Sequence, residues 1–358
     1  MKNVIMKTFL NPTSIAFISL LSLFCPPRTQ AQEAAGYSIT LEKDLELVGI
    51  PLQHPAIASG PVTAVQSAAL IQWTPSFTDT FFGSALVSGA EYYAEVVGPT
   101  NHPWLGHRFE LDESATRARN DHALVPSNST WNTKGPINSS LVGTTIEVHA
   151  HLTLPYLIDD TLLGRVQSGG ENPKSFQFFL PFPGLTTLSA QVNLSGSTLL
   201  WKELASERPL RSDELILPPG FSFGLKFGER RGLSRGFTGV VRTVPCPVPL
   251  QKGTNYISYP FAQDLRLGVD WGTPANGLRA GTGGHAMHAD KIILQNGRAS
   301  VMYGLSQTKQ GFRWLRVNSR TYLWNTPPQV LEKIPAGEGF ILVKTIADPN
   351  HSFPLPKP

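Results

Sequence analysis

Glycine and proline interrupt this sequence so often that no long helix fits between them. The 358 residues include 32 glycines and 30 prolines, above the usual shares of about 7% and 5%. No segment keeps a 3.6-residue apolar period with helix caps, whereas the runs 91–97, 144–154 and 256–261 alternate or are rich in β-branched and aromatic residues. The sequence therefore predicts an all-β protein with sandwich- or barrel-like units.

Composition excludes several classes of protein. With 41% hydrophobic and 16% charged residues, the chain has enough apolar side chains for a core and too few charges for a disordered or coiled-coil protein. The net charge of +4 owes three of its cations to the first 31 residues, which contain no acidic residue. The remainder is close to neutral, so the sequence predicts no nucleic-acid partner.

Residues 1–31 have the three parts of a secretory signal peptide. Lys2 and Lys7 form a basic start, 14–24 is a short apolar core, and 29–31 offers a small-x-small cleavage site. The apolar core is too short to span a membrane, and no other apolar run is long enough. We therefore expect an exported protein, in the periplasm, at the cell surface or outside the cell, with no membrane span after cleavage.

Four landmarks recur in the same order about 113 residues apart, which indicates an internal repeat. The matched segments are 152–155 with 265–268, 179–180 with 292–293, Trp201 with Trp314, and 216–223 with 334–341. Because Trp201 and Trp314 recur at equivalent places, we expect both to be core residues. The predicted organisation is a signal peptide (1–31), an N-terminal β domain (32–134), two related β units (135–245 and 246–346) and a Pro-rich tail (347–358).

These repeat motifs resemble those of a known family. A strand ending in Tyr259-Pro260-Phe261, the Ala289-Asp290-Lys291-Ile292 strand, a central Trp and the closing Ile-Pro-x-Gly-x-Gly-Phe of 334–340 are similar to a family of uncharacterised exported β-rich bacterial proteins. Tyr92-Tyr93-Ala94-Glu95 and the run 149–154 resemble segments in the first half of that family. The resemblance implies export and the β architecture, and it implies no particular activity.

The segment His149-Ala150-His151 is the candidate metal site. Residues i and i+2 of a strand point to the same face, so the two imidazoles could chelate one Zn²⁺. A third ligand could come from His122, His285 or His288. The alternative is a pair of solvent-facing histidines on the face opposite the apolar stripe of the strand, with no cofactor at all.

Ser234 is the candidate nucleophile. It lies in Gly232-Leu233-Ser234-Arg235-Gly236, which matches the Gly-x-Ser-x-Gly pattern of a nucleophile elbow. The elbow needs a strand before it and a helix after it, and the segment that follows is strand-like. A hairpin loop is the competing interpretation. Cys246 remains alone once Cys25 leaves with the signal peptide, and no cationic neighbour is visible in the sequence, so we expect an inert thiol.

Four tryptophans in loop-like contexts are the candidate ligand contacts, because an exposed indole ring can stack on a sugar. They are Trp73, Trp104, Trp131 and Trp271. The sequence thus favours an exported, non-enzymatic structural or ligand-binding protein, with polysaccharide or another envelope component as candidate partner. The alternative is a metal-dependent or serine hydrolase that uses His149 and His151 or Ser234.

Overall fold

The computed structural model describes residues 34–41, 45–67, 70–76, 82–127, 132–134, 136–157, 177–180, 188–195, 198–203, 206, 208–210, 215–226, 233–283, 285–296 and 299–356. The predicted signal peptide and Trp131 lie outside these residues. The fold is nearly all β, as predicted from the sequence. None of the helices in these segments is long and apolar enough to cross a membrane.

Within the described residues, two short α-helices, α1 (Glu113–Arg117) and α2 (Leu154–Leu157), accompany the strands. In chain order the strands are β1 (Ala34–Leu41), β2 (Leu45–Gly49), β3 (Leu52–Gln53), β4 (Ala58–Ser67), β5 (Leu70–Trp73), β6 (Tyr92–Gly98), β7 (Arg108–Glu110), β8 (Ala123–Leu124), β9 (Thr145–Ala150), β10 (Gln177–Leu180), β11 (Leu188–Ser195), β12 (Thr198–Glu203), β13 (Ser222–Lys226), β14 (Leu233–Val241), β15 (Cys246–Pro247), β16 (Gly253–Ser258), β17 (Leu265–Arg266), β18 (Lys291–Asn296), β19 (Ala299–Thr308), β20 (Gly311–Val317), β21 (Val330–Leu331), β22 (Lys333–Ile334), β23 (Gly339–Lys344) and β24 (Ser352–Phe353).

Two of the sheets have matching strand orders. The first sheet runs β2-β13-β10-β11-β12, and the second runs β16-β23-β18-β19-β20-β21. All pairs in both sheets are antiparallel. Trp201 lies on the fifth strand of the first sheet and Trp314 on the fifth strand of the second. The two tryptophans therefore occupy the same position in the strand order.

The first and second sheets contact each other reciprocally. The N–H of Gly49, at the end of β2, donates to the carbonyl of Gly337 (2.9 Å). The N–H of Ser258, at the end of β16, donates to the carbonyl of Gly220 (3.0 Å). The first strand of each sheet thus pairs with the Pro-x-Gly turn of the other sheet, and both turn glycines have positive φ, which that turn conformation requires.

A third sheet, the inserted sheet, has the order β7-β6-β9-β4-β5-β8. Its strands fall between β3 and the strands that complete the first sheet. Because β2 comes from residues 45–49 and β9 ends at Ala150, the sheets do not follow the predicted boundaries at 32–134 and 135–245. The first sheet is discontinuous in sequence, with residues 58–150 inserted after its first strand.

Each large sheet covers its own apolar core. Ile71, Ile146 and Val148 lie in the core of the inserted sheet, and Phe178 lies in that of the first sheet. Trp201 is buried in the core of the first sheet and Trp314 in that of the second. The prediction that these two tryptophans are core residues is confirmed.

The segment predicted as a Pro-rich tail, 347–358, is part of the second core. Its β24 pairs with β15, and the Phe353 side chain is fully buried against Trp271 (ring centroids 5.3 Å apart). The prediction of a tail depended on proline content alone. Proline content does not show whether a neighbouring aromatic residue such as Phe353 is buried.

His351, in the same segment, makes the fold sensitive to acid. Trp271 Nε1 donates to its Nε2 (3.0 Å), and its Nδ1 lies 3.2 Å from Oδ2 of Asp348. Burial lowers the pKa of His351 to about 4, against the opposing effect of the Asp348 charge. Since the unfolded histidine titrates near 6.5, the unfolded state binds a proton that the folded state does not bind between pH 6.5 and 4.

We therefore expect the free energy of unfolding to fall as the pH drops from 6.5 to 4, with His351 contributing up to about 3 kcal/mol. Urea unfolding at a series of pH values measures the slope. His351→Gln should reduce it, while substitution of the exposed His288 should not. Burial and Lys134 also lower the pKa of His107 to about 4, so part of the slope should remain. An unchanged slope in His351→Gln would contradict the prediction.

Candidate binding site

The candidate site lies on the polar face of the inserted sheet. Successive side chains of a strand point to opposite faces, and the apolar residues of β6 pack into the core of the sheet. Tyr93 and Glu95 therefore face the other way. In register, Glu95 lies opposite Arg108 of β7, and Tyr93 lies opposite His149 of β9. Alternation on three adjacent strands thus gathers polar side chains on one face.

This face is buried, although its residues are polar. We call the following residues the polar cluster: Tyr93, Glu95, Arg108, Glu110, His149, His151, Arg242 and Cys246. No member is more than 6% exposed. Arg242 comes from the residue after β14 and Cys246 from β15, so chain segments outside the inserted sheet cover the face. Burial of charged groups is costly unless they are paired, so their partners decide what the cluster can do.

One ion pair links the inserted sheet to the segment after β14. Arg242 Nη1 donates to Oε1 of Glu95, and the side chains are 2% and 0% exposed. Burial lowers the pKa of Arg242, but the charge of Glu95 more than offsets this effect, with smaller contributions from Cys246 and Tyr93, and the pKa is raised above its usual value. Arg242 therefore keeps its positive charge at any ordinary pH.

His149 of β9 and His151, the residue that follows this strand, lie on one face, as their parity predicted, and both contact Tyr93. The ring of His149 stacks on that of Tyr93 (centroids 5.3 Å apart), and the ring of His151 is tilted against it (4.7 Å). Both histidines are buried, at 0% and 4% exposure, so the alternative of a solvent-facing pair is wrong. The opposite face of this strand is covered by protein, which strand parity does not reveal.

Each histidine has a different carboxylate partner. His151 Nε2 hydrogen-bonds to Oε2 of Glu110, whereas His149 Nε2 lies 3.3 Å from Oε2 of Glu147. The Nδ1 atom of His149 donates to the carbonyl of His54 (2.8 Å). Burial, followed by the charges of His149 and His151, lowers the pKa of His54. A third imidazole therefore stands at the edge of the cluster and favours its neutral form.

The surroundings of Cys246 differ from the expectation. Arg108 Nη1 lies 3.6 Å from its Sγ and 3.0 Å from the carbonyl of Pro219. The thiol therefore has a cationic neighbour that is 138 positions away in the sequence. That separation is why Arg108 was not visible as a neighbour of Cys246 in the sequence.

Several buried atoms of the polar cluster have no hydrogen-bond partner. They are Glu95 Oε2, Arg108 Nε, Arg108 Nη2, Glu110 Oε1, His149 Nε2, His151 Nδ1 and Arg242 Nη2. A buried polar atom without a partner costs about 1–3 kcal/mol, and more if it is charged. Buried polar atoms in native proteins are mostly paired, so the concentration of these atoms on one face makes the cluster the candidate site for a polar ligand.

The described residues do not contain the predicted metal site. No group of three or more His, Cys, Asp or Glu side chains in this part of the chain is placed to hold a metal ion. His285 and His288 are exposed in the loop before β18, and His122 lies beside β8. None of these predicted third ligands is part of the polar cluster that contains His149 and His151.

Ser234 is neither in a nucleophile elbow nor in a hairpin loop. It lies inside β14, where it pairs with Thr40 of β1, and β14 continues to Val241 without a helix. The glycines around Ser234 suggested a turn, but strand pairing along the whole of β1 keeps this segment extended.

The tryptophans that were predicted to face a ligand are buried, as far as the described residues include them. Trp73 and Trp104 lie in the core of the inserted sheet, and Trp271 lies in the second core, each at most 3% exposed. The indole N–H of Trp104 donates to Ser140 (2.8 Å). A buried ring has no face free to stack on a sugar. The prediction that these tryptophans contact a ligand, which depended on neighbouring Pro and Gly residues, is therefore wrong for Trp73, Trp104 and Trp271.

Local sequence patterns did not indicate the remaining charged members of the polar cluster, Glu95, Arg108, Glu110 and Arg242. A usable signal exists for two of them, because Glu95 and Arg242 are single charges within or beside apolar strand segments. Such a charge is buried only with a partner. The partners themselves come from distant segments and cannot be read from local spacing.

Comparison of the chain with protein-family models, curated proteins and solved structures found no match in any of the three. Functional inference therefore depends on the geometry of the polar cluster.

Proposed function

We propose that this protein is an exported, non-enzymatic binding protein and that the polar cluster is its ligand site. The observation that carries the proposal is the set of seven unpartnered polar atoms on residues that are at most 6% exposed. These atoms offer both donors and acceptors, so a small polar ligand could satisfy several of them at once.

A purely structural role explains the cluster less well. An apolar core of similar volume is often as stable as a buried ion pair, or more stable. A cluster that only joined sheets would therefore lose nothing by becoming apolar. The cluster instead contains two arginines and two glutamates whose hydrogen bonding is incomplete. A bound polar ligand would complete that hydrogen bonding.

Export and duplication belong to the same proposal. The signal-like segment 1–31 supports transport out of the cytoplasm. After export the mature chain would be periplasmic, surface-located or secreted. The matched strand orders of the first and second sheets, together with the 113-residue offset, support an origin of both sheets from one ancestral unit. Polysaccharide is not retained as the ligand, because the tryptophans that motivated it are buried wherever they are described.

Native mass spectrometry tests the binding function. The full chain is expressed with its leader, purified without denaturation, and compared with the same protein after unfolding, dialysis and refolding. We expect an additional mass on the native sample that the refolded sample lacks. Identical masses for the two samples, both equal to that of the chain alone, would contradict the proposal.

A further inference from the structure

Arg108 differs from the other charged residues of the polar cluster in its partners. In register it faces Glu95 across β6 and β7, but Oε1 of that carboxylate already binds Arg242. Glu110, two residues along β7, binds His151 through Oε2. The contacts of Arg108 are the neutral Pro219 carbonyl and the Cys246 sulfur, and within the described segments it forms no ion pair.

The unpartnered atoms of Arg108 form one edge of its guanidinium group. Nη1 makes both of its contacts, while Nε and Nη2 have no partner. These two nitrogens present parallel N–H groups, which match two oxygens of a carboxylate or phosphate in a bidentate pair. A guanidinium group that is 1% exposed and lacks a counterion is strongly disfavoured unless an anion joins it.

The neighbouring atoms restrict which anion fits. Arg242 Nη2 is a further unpartnered cationic donor and favours negative charge. Glu95 Oε2 and Glu110 Oε1 are unpartnered acceptors, which would repel a second negative charge and would accept a hydrogen bond from a hydroxyl group. The fitting ligand carries a single charge on an oxyanion and at least one O–H group.

We propose that Arg108 binds a hydroxyl-bearing oxyanion with a single charge, either dihydrogen phosphate or a hydroxycarboxylate, through Nε and Nη2. The proposal rests on the binding function proposed above and names the ligand class for the same site. Arg242 and the carboxylates Glu95 and Glu110 complete the site by contacting the remaining oxygens and hydroxyl groups.

Refolding in defined buffers tests this assignment, because it allows the buried site to load during folding. The full chain is refolded at equal ionic strength in chloride, inorganic phosphate, glycolate or acetate, and the Tm is measured. Phosphate or glycolate at about one hundred times its Kd should raise the Tm by roughly 5 °C over chloride. Whichever of the two acts identifies the source, and acetate, which lacks the hydroxyl group, should act less.

Two arginine variants separate the site from general salt effects. Arg108→Gln should lose the shift and should be at least as stable as the wild type in chloride, because an unpaired buried charge has been removed. Arg119→Gln is the matched control, since Arg119 pairs with Asp121 at the surface (2.6 Å), and it should keep the shift. An equal shift in Arg108→Gln would overturn the proposal.

A measurement on the wild type keeps the proposal testable if Arg108→Gln does not fold. If phosphate is the anion that raises the Tm, ³¹P NMR of protein refolded in phosphate should show a bound resonance distinct from that of free phosphate. Absence of a Tm shift in every oxyanion, together with a native mass adduct, would overturn the ligand class and leave the binding function standing. Absence of both the shift and the adduct would overturn both proposals.

Discussion

Arg242→Met is expected to lower the free energy of unfolding by about 3–5 kcal/mol, because it leaves a buried carboxylate without its counterion. Arg242 Nη1 donates to Oε1 of Glu95, and neither side chain is more than 2% exposed. The second oxygen of Glu95 already lacks a partner, so no other hydrogen bond compensates for the loss. Urea unfolding followed by tryptophan fluorescence measures the effect.

Two further variants show whether burial is the cause. Arg117→Met removes an exposed ion pair with Glu113 (3.1 Å) on α1 and should cost less than about 1 kcal/mol. The double variant Glu95→Met/Arg242→Met removes both buried charges and should recover most of the lost stability. If Arg242→Met costs no more than Arg117→Met, the pair does not carry the stability assigned to it.

Gly49→Ala is expected to have the second large effect, because it adds a methyl group where the first and second sheets meet. A Cβ at Gly49 would lie 2.0 Å from Cβ of Ser258 and 2.3 Å from its Oγ, so the two strand ends must separate. Overpacking of this kind costs about 1–3 kcal/mol. We expect the upper end of that range, measured by thermal or urea unfolding.

A double-mutant cycle with Ser258→Gly tests the cause. Ser258→Gly alone loses the hydrogen bond from its Oγ to the carbonyl of Phe221 (3.0 Å), but in the double variant it removes the clash. We therefore expect a favourable coupling energy of about 2 kcal/mol. Gly236→Ala is the control, because nothing lies within 4 Å of its added Cβ. A coupling energy near zero would refute the proposed contact.

A second close contact between the first and second sheets should behave differently. At Gly339 an added Cβ would lie 2.5 Å from Cβ of Ser222 and also 2.9 Å from the backbone carbon of Leu47. Ser222→Gly can remove the side-chain clash but not the backbone clash. We therefore expect only partial rescue of Gly339→Ala, in contrast to the pair formed by Gly49 and Ser258.

Local sequence patterns were sufficient to predict the strands and one feature of the site. The β-branched and aromatic residues of 91–97 predicted the strand now seen as β6. Alternation predicted β9, and parity placed His149 and His151 on one face. Both properties depend only on the two-residue period of a strand. They hold whatever the rest of the chain does.

Which segments cover a strand depends on distant parts of the chain, and the predictions of which residues are exposed were wrong for this reason. His149 is covered in part by the segment before β4, whose His54 carbonyl accepts from its Nδ1. Arg242 and Cys246, from after β14 and from β15, contact Glu95 and Arg108 on the same polar face. Trp73 and Trp104 are buried although Pro and Gly residues lie nearby, because backbone irregularity does not determine where a large ring packs.

The insertion of residues 58–150 into the first sheet could not be predicted from the sequence either. The offset of 113 residues begins only at 152, since residues 58–150 separate β2 from the other strands of its sheet. The similarity of Leu47-Val48-Gly49-Ile50-Pro51 to 257–261 was the one sequence signal that β2 corresponds to β16. Pairing between segments so far apart is not encoded in any local pattern.

A high-resolution crystal structure of the natively purified protein tests the central claim most directly, namely that the polar cluster is a ligand site. The account predicts electron density for an oxyanion within hydrogen-bonding distance of Nε and Nη2 of Arg108, with a further contact to Arg242. The claim would be contradicted if Nε and Nη2 of Arg108 instead bound a carboxylate group of the protein itself.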